Sequence, residues 1–270
     1  MSMKKNYVVE TIRRAQMVEM LRQGKRSDGR ALDQPRPLNI EVGLIQKANG
    51  SARVKLGNTE VIAGVKIATG TPFPDTPDKG LLVVNAEILP LASPYAEAGP
   101  PSEEAIELAR VVDRGIRESE MVDLTKLCLI EGKSVVTIFV DCNVMNVDGN
   151  LFDATSYAVV AALRTATMKK YKVEGDKAVA TDENIPVPVE RTPISVTLAR
   201  IGDALVVDPD SEEEVLMDVR ITITTDDEGN ICASQKGEAS TISPAHVLEA
   251  ADTSIRIGKE IRAQIDQATK

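Results

Sequence analysis

Two runs of alternating apolar and polar residues, joined by a two-residue turn, constrain the fold of this chain more than any other feature. Apolar side chains occupy every second position from Ala52 to Leu56, and the alternation resumes over residues 61–67. Gly57 and Asn58 stand between the runs, and such a pair favours a tight hairpin turn. Because successive side chains of a strand point to opposite faces, one face of this antiparallel pair must be buried.

Other elements are predicted from capping residues and apolar periodicity. Residues 6–24 contain no proline and predict an N-terminal helix, whereas the apolar run 81–89 predicts a strand that is covered on both faces. Ser102, followed by two glutamates, predicts the start of a helix because its side chain can accept from free backbone N–H groups. The remaining predicted elements are a strand at 136–144, a turn at Asp148-Gly149-Asn150, a helix at 151–168, strands at 194–201, 204–207, 215–223 and 231–234, and a final helix opened by Ser243-Pro244 with a core face at Leu248, Ala251, Ile255, Gly258, Ile261 and Ile265.

These elements predict an α+β fold, because the strands arrive in hairpins and helices separate the strand blocks. The expected architecture consists of mixed and antiparallel sheets with packed helices. We expect residues 1–270 to form a single domain, in which the polar segment 174–190 marks the possible internal boundary.

Composition argues against several classes of protein. Three scattered cysteines and one histidine provide no close set of metal ligands, so we predict no metal and no cofactor. No apolar run approaches 18 residues and the N-terminus lacks a signal-peptide pattern, which predicts a cytoplasmic protein without a membrane segment. Aromatic residues make up 3% of the chain and tryptophan is absent, so a platform that stacks successive bases is not expected.

Charge is spread unevenly along the chain. The net charge is −9, yet residues 1–36 contain nine Lys/Arg against four Asp/Glu. An acidic protein can still bind RNA where its basic groups gather on one surface. Such contacts go mainly to phosphates, so they tolerate many sequences and weaken with salt.

An ordered set of motifs resembles RNase PH-type proteins over nearly the whole chain. Within that family the motifs are similar to the ring subunit of the archaeal exosome that is described as non-catalytic. The stretches that carry the resemblance are RSDGR at 26–30, GSARVKLGNT at 50–59, GPPSEEAIELARVVDR at 99–114, LTKL at 124–127 and DGN at 148–150.

The resemblance implies the RNase PH fold, which is also described as ribosomal protein S5 domain 2-like. It implies a hexameric ring, built as a trimer of heterodimers with a catalytic sister subunit, with RNA-binding cap proteins on one face and single-stranded RNA bound. The implied function is to structure the sister subunit's active site and to bind RNA phosphates during 3′→5′ phosphorolytic degradation.

The resemblance also predicts that this chain lacks the chemistry itself. In active members of the family, the strand–turn–helix junction has a sequence that resembles Gly-Thr-Arg and binds phosphate. This chain has Gly149-Asn150-Leu151-Phe152-Asp153 at that junction. Leucine and phenylalanine offer no side-chain donors, and a carboxylate repels an anion. We therefore predict a chain that is not an enzyme by itself. The alternatives are a self-sufficient phosphate-dependent 3′→5′ exoribonuclease and an RNA-binding module without a ring.

Acidic residues in the second half leave two interpretations. Asp208, Glu214 and Asp218 lie roughly where active members place their acids, although the spacing differs. A residual acid pair is the less favoured interpretation. A solvated acidic turn and strand is the favoured one, because residues 210–214 carry no apolar side chain.

Arginines of the helix that follows Ser102 are the main candidates for RNA binding. Arg110, Arg114 and Arg117 are spaced four and three apart and share a helix face. The resemblance implies that the first two reach the RNA backbone beside the sister subunit's active site. The alternative is ordinary ion pairing within the helix, for which the available partners are Glu107, Asp113 and Glu118.

Arg26 and Arg30 are the next candidates for RNA binding. They would extend a basic channel lining, or they would belong to a polar loop held by Asp28, and the sequence does not decide between these two interpretations.

Overall fold

The computed structural model describes residues 7–94, 96–97 and 99–270. The predicted helix at 6–24 is present, and its first predicted residue lies outside the described ranges. The α-helices of these ranges are α1 (Tyr7–Arg22), α2 (Glu103–Glu118), α3 (Leu151–Arg164), α4 (Ser211–Leu216) and α5 (Pro244–Ala268). The strands are β1 (Leu38–Val42), β2 (Gly50–Leu56), β3 (Thr59–Gly70), β4 (Leu81–Ile88), β5 (Cys128–Ile130), β6 (Ser134–Asn146), β7 (Thr167–Glu174), β8 (Lys177–Pro186), β9 (Ile194–Ile201), β10 (Ala204–Val207), β11 (Val219–Thr225) and β12 (Ile231–Gly237).

The first sheet contains the predicted hairpin. Its strand order is β1-β2-β3-β6-β4, and β5 pairs with β6. Leu56 pairs with Thr59 across the Gly57-Asn58 turn, which confirms the predicted hairpin. Strand β4 runs parallel to β6, whereas β1, β2, β3 and β5 pair with their neighbours in antiparallel fashion. The apolar residues of the alternating pattern face inward and are at most 1% exposed from Ala52 to Val65.

The second sheet is antiparallel throughout, in the order β10-β9-β11-β12. Ile201 pairs with Ala204 across Gly202-Asp203, as the sequence predicts. Strand β9 is buried along nearly its whole length because α3 and α5 both pack against it.

Helix α3 lies between the two sheets. It contacts β2 and β3 of the first sheet and β9 of the second, and every side chain from Phe152 to Leu163 is buried. Small residues make this close packing possible. A Cβ at Gly50 would come within 2.4 Å of the carbonyl oxygen of Ala162, so the glycine lets β2 approach the helix.

Serine caps begin α2 and α5, as predicted. Ser102 Oγ accepts the backbone N–H of Ala105 at 3.2 Å, and Ser243 Oγ accepts that of His246 at 3.2 Å. These bonds satisfy N–H groups that have no partner inside the helix.

The predicted strand at 215–223 is wrong over its first part. Asp210 accepts the backbone N–H groups of Glu212 and Glu213, both at 2.9 Å, and this cap starts α4 at Ser211. The strand β11 begins only at Val219, because helix capping overrides the alternating pattern before it.

Three further predictions about burial and boundaries are corrected. Leu248 and Ile255 are 68% and 38% exposed, so they do not belong to the core face of α5. Strand β4 is covered on one face only, since Val83 is 37% exposed. The helix predicted at 151–168 ends at Arg164, and the chain then forms the two-stranded sheet β7-β8 from residue 167 to 186.

Gly50→Ala is expected to destabilise the protein by about 1–3 kcal/mol, because the added methyl group meets backbone atoms of α3 that cannot move independently. Urea unfolding measures the effect. Gly64→Ala on the adjacent strand is the control, since the nearest heavy atom to its Cβ lies 3.9 Å away. Equal losses of stability in the two variants would contradict the close approach of β2 to α3.

Candidate functional site

The turn between β6 and α3 has a left-handed backbone. Gly149 has a φ of +80° and Asn150 a φ of +47°. A Cβ at Gly149 would come within 2.5 Å of the backbone carbonyl carbon of Asp210, so glycine is required there. The turn therefore brings the start of α3 against the start of α4.

Carboxylates of the chain itself surround the N-terminus of α3. The backbone N–H of Asn150 donates to Glu214 Oε1 at 2.8 Å. The side-chain amide of Asn150 donates to Asp153 Oδ2 at 2.8 Å and to Asp208 Oδ1 at 2.7 Å. A helix N-terminus attracts anions, and here the negative charge is supplied internally. An outside anion at this place would find the donors of Asn150 already occupied.

Asp153 ties α3 to the second sheet. It is 1% exposed and accepts the backbone N–H of Thr197 at 2.9 Å and its hydroxyl at 2.7 Å. Burial raises the pKa of Asp153 to about 7, although these donors and Asn150 act in the opposite direction. Both oxygens of the carboxyl group are thus bound by partners inside the protein.

Asp208 is the centre of a buried charge cluster, which consists of Arg26, Arg30, Arg36, Asp208 and Glu213. Asp208 is 1% exposed and binds Arg36 at two points, Nε at 2.9 Å and Nη2 at 2.7 Å. The same guanidinium donates to the carbonyl oxygens of Asp148 and Gly149, so it also holds the turn before α3.

Arg26 lies inside this buried charge cluster, and the prediction that it binds RNA is wrong. Its Nε donates to Glu213 Oε1 at 2.8 Å, and Nη2 forms a second bond to the same carboxylate. Nη1 donates to the carbonyl oxygen of Val207 at 2.8 Å. A buried guanidinium requires such pairing, and none of its nitrogens is left for a phosphate.

Arg30 is held mainly by contacts within the protein, which disfavour the predicted contact with RNA. Its side chain is 9% exposed, and Nε lies 2.5 Å from Asp28 Oδ2. Nη1 donates to the carbonyl oxygen of Asp208 at 3.1 Å. These contacts agree with the alternative of a polar loop held by Asp28.

The acidic segment 210–214 is built into the protein, so its interpretation as a solvated turn is wrong. Glu213 is 1% exposed against Arg26, and Glu214 binds the start of α3. Burial raises the pKa of Glu214 to about 7, partly offset by its bond to Asn150 and by nearby arginines.

Asp218 is not brought to the junction. It pairs with Arg14 at 2.7 Å and accepts the backbone N–H of Gly202 at 2.9 Å, so it joins α1 to the β9–β10 turn. Of the three acids, Asp208 and Glu214 therefore meet at Asn150, whereas Asp218 lies apart from them.

Arg110 and Arg114 line a groove of about 380 Å³ between α2 and β12. Both side chains are exposed, and Arg114 Nη1 lies 3.5 Å from Gln235 Oε1 on β12. Over residues 7–94, 96–97 and 99–270, neither arginine forms an ion pair with another side chain. We call this surface, which is lined by Arg110, Arg114 and Gln235 together with Glu103 and Glu107, the arginine groove.

Of the ion pairs that the sequence predicts within α2, the structure contains the one between Arg117 and Asp113. Arg117 Nη2 lies 2.7 Å from Asp113 Oδ1 and also donates to the carbonyl oxygen of Leu82 at 2.8 Å. Glu107 is instead bound by Arg220 at 2.5 Å. Two of the three predicted arginines thus share the groove, while the third is turned towards β4.

Sequence reasoning missed Arg36 and Arg220. Arg36 stands between two prolines in an irregular segment, which carries no periodic signal. Arg220 occupies a polar position of an alternating strand, a pattern that predicts exposure, yet it is 9% exposed. Nothing local in the sequence distinguishes either residue from a surface arginine.

The helices of the described ranges are all too short or too polar to cross a membrane.

Comparison with known proteins gives matches along most of the chain. Residues 34–169 match domain 1 of the 3′ exoribonuclease family, RNase PH, and residues 191–257 match its domain 2. Exosome complex component Rrp42 of Pyrococcus horikoshii is 48% identical over 99% of this chain and 98% of its own length. The protein of the same name from Methanopyrus kandleri is 48% identical over 94% of this chain and 96% of its own length.

Two solved structures resemble the fold. A chain of the Archaeoglobus fulgidus exosome, solved with RNA bound to the active site, superposes with a TM-score of 0.86 at 43% identity and covers 95% of this chain and 99% of its own length. A chain of an archaeal exosome core gives a TM-score of 0.83 at 41% identity, with 96% and 98% covered. The predicted RNase PH fold is thereby confirmed.

Glu214→Gln is expected to reduce the dependence of stability on pH. A carboxyl whose pKa is about 7 in the folded protein stabilises the fold at low pH, and that stability is lost as the pH rises from about 4.3, the value of a free glutamate, to about 7. Denaturant unfolding at both ends of this window measures the loss, which should be smaller in the variant.

Glu212→Gln is the matched control, because Glu212 is an exposed residue of the same helix. The assignment of the pH dependence to Glu214 is refuted if Glu212→Gln and Glu214→Gln change it equally.

Proposed function

The chain belongs to the 3′ exoribonuclease (RNase PH) family, and from that premise we propose that it is a non-catalytic subunit of an archaeal exosome ring. Similarity to proteins named exosome complex component Rrp42 over nearly the full length supports this assignment. The fold shared with chains of two exosome structures supports it as well.

The observation that carries the non-catalytic role is the bond between Glu214 and the start of α3. Phosphorolysis requires inorganic phosphate and an RNA phosphodiester to lie close together, so the site must attract two anions. At the junction of this chain, Glu214, Asp153 and Asp208 occupy the backbone and side-chain donors of Asn150, and Leu151 and Phe152 supply no side-chain donors. Such a junction disfavours phosphate binding.

The arginine groove is the proposed RNA contact. Arg110 and Arg114 are exposed cations on one helix face, and no acidic side chain of the described ranges pairs with them. Guanidinium groups bind phosphate oxygens through directed hydrogen bonds, so the groove would hold the RNA backbone irrespective of base sequence. Arg117, also predicted, would contribute less because Asp113 already binds it.

The proposed partners are a catalytic RNase PH-type sister subunit, arranged as a trimer of heterodimers, together with RNA-binding cap proteins and single-stranded RNA. Holding the RNA in register with the sister subunit's active site would accelerate phosphorolysis without a reacting group from this chain. We place the assembly in the cytoplasm, since Cys128, Cys142 and Cys232 are free thiols.

In phosphate buffer, this chain alone is expected to release no nucleoside diphosphate from oligoadenylate, because the donors of Asn150 at its junction are already occupied and are not free for phosphate. An equimolar mixture with the catalytic sister subunit should be far more active than the sister alone. Thin-layer or liquid chromatography of the products provides the measurement. Phosphorolysis by the isolated chain would instead support a self-sufficient exoribonuclease.

The double charge reversal Arg110→Glu/Arg114→Glu is expected to weaken RNA binding by the assembled ring about tenfold or more. It should also lower the slope of log affinity against log salt by about 1.4, the value for two lost contacts to a single strand. Fluorescence anisotropy with labelled oligoadenylate, at several salt concentrations, measures both quantities.

Arg256→Glu/Lys259→Glu is the charge-matched control, because it reverses two exposed cations on α5. If this control loses as much RNA affinity, the effect of the double charge reversal is due to net charge alone. The argument for RNA binding at the arginine groove then fails.

A further inference from the structure

Arg220 is held between α2, α3 and β12. Its Cζ lies 4.0 Å from the ring centroid of Phe152, and its Nη2 lies 2.5 Å from Glu107 Oε1. A Cβ at Gly237 would come within 2.7 Å of the same Nη2, so the glycine leaves the space that the guanidinium fills. A cation that stacks on a ring and binds a carboxylate at once is strongly fixed in position.

Glu107 is an acidic residue of α2 whose spacing from Arg110 allows the two to pair. The two residues stand three positions apart, a spacing at which opposite charges pair on a helix surface. In the structure Glu107 is directed to Arg220, 113 positions along the chain, and Arg110 has no ion pair within the described ranges. Glu107 still lines the groove, but its carboxylate is paired with Arg220 and not with Arg110.

Phe152 connects this contact to the junction at the start of α3. The residue lies in the first turn of α3, where it offers no side-chain donor to phosphate, and its ring supplies the face on which Arg220 stacks. Phe152 thus has two effects. It leaves the start of α3 without a side-chain donor for an anion, and its ring holds Arg220, which in turn binds Glu107 beside the arginine groove.

We propose that Arg220 is a positioning residue, which holds Glu107 away from Arg110 and so leaves Arg110 free to bind an RNA phosphate. The inference rests on the proposed function, because it assigns Arg220 a role at the same RNA-binding groove. A carboxylate next to Arg110 would compete with the phosphate for the guanidinium and would repel the RNA backbone.

The test measures binding of fluorescein-labelled oligoadenylate, by anisotropy, to the ring assembled with the catalytic partner. Arg220→Met should weaken binding by about three- to tenfold, the effect expected for loss of about one phosphate contact. Gly237→Ala should act in the same direction without a change of charge, because it displaces the guanidinium. Lys236→Met is the control, since it removes one positive charge from an exposed position of β12 and should leave binding nearly unchanged.

The double variant Glu107→Gln/Arg220→Met separates positioning from a general structural role. Without the carboxylate of Glu107, its competition with phosphate for Arg110 is gone, so affinity should return to within about twofold of the unmodified ring, as expected for two coupled sites. If Arg220 only stabilised the fold, the second substitution would not restore binding, because the contact to Glu107 is absent in both variants.

Unchanged affinity in Arg220→Met, or no recovery in the double variant, overturns the inference. Arg110→Glu/Arg114→Glu is measured in the same series. If that charge reversal weakens binding while Arg220→Met does not, the role of Arg220 alone fails. If the charge reversal also leaves binding unchanged, the RNA-binding groove of the proposed function fails.

Discussion

The rest of the structure depends on the buried carboxylate of Asp208. It stands at the end of β10, where it binds Arg36 from the segment before β1, Asn150 from the start of α3 and Arg30 from the loop after α1. A buried charge without partners is strongly unfavourable, so all three segments must be in place together. Because one carboxylate joins the two sheets and the turn between β6 and α3, the shape of the junction follows from the requirement that this charge be satisfied.

Charged side chains have opposite roles in the buried charge cluster and in the arginine groove. In the cluster, Arg26 and Arg36 are matched by acids and by carbonyl oxygens, so their charge cannot act on an outside ligand. In the groove, Arg110 and Arg114 project into solvent without an acidic partner among the described residues. A chain of net charge −9 can therefore still expose arginines that are not ion-paired, because Glu107, which lines the same groove, is bound by Arg220.

The junction illustrates how a fold can keep a local geometry while its own side chains occupy the site that this geometry forms. Gly149 and Asn150 keep the left-handed turn, and α3 still presents its N-terminus there. Glu214 then takes the backbone N–H of Asn150, so the attraction of a helix N-terminus for negative charge is satisfied from within. The fold supports the local geometry, whereas function follows from the side chains placed on it.

Much of the fold was predictable because the signals are local. Alternation around Gly57-Asn58 predicted a hairpin that the structure contains, since pairing across a two-residue turn depends only on neighbouring positions. Ser102 and Ser243 likewise predicted the starts of α2 and α5. The strand expected from residue 215 failed, because the cap at Asp210 competes with alternation and only the packed protein decides which one prevails.

Of the candidate site, the sequence by itself determined that Arg110 and Arg114 share a helix face and that the junction carries no Thr-Arg pair. Tertiary structure alone decided which arginines are free. Arg26 is bound by Glu213, 187 positions away, and Glu107 is drawn from Arg110 by Arg220, 113 positions away. The residue type determines the charge of a side chain. Whether that charge is available to a ligand depends on which opposite charge lies within about 3 Å, and that distance is set by the packing of elements remote in sequence.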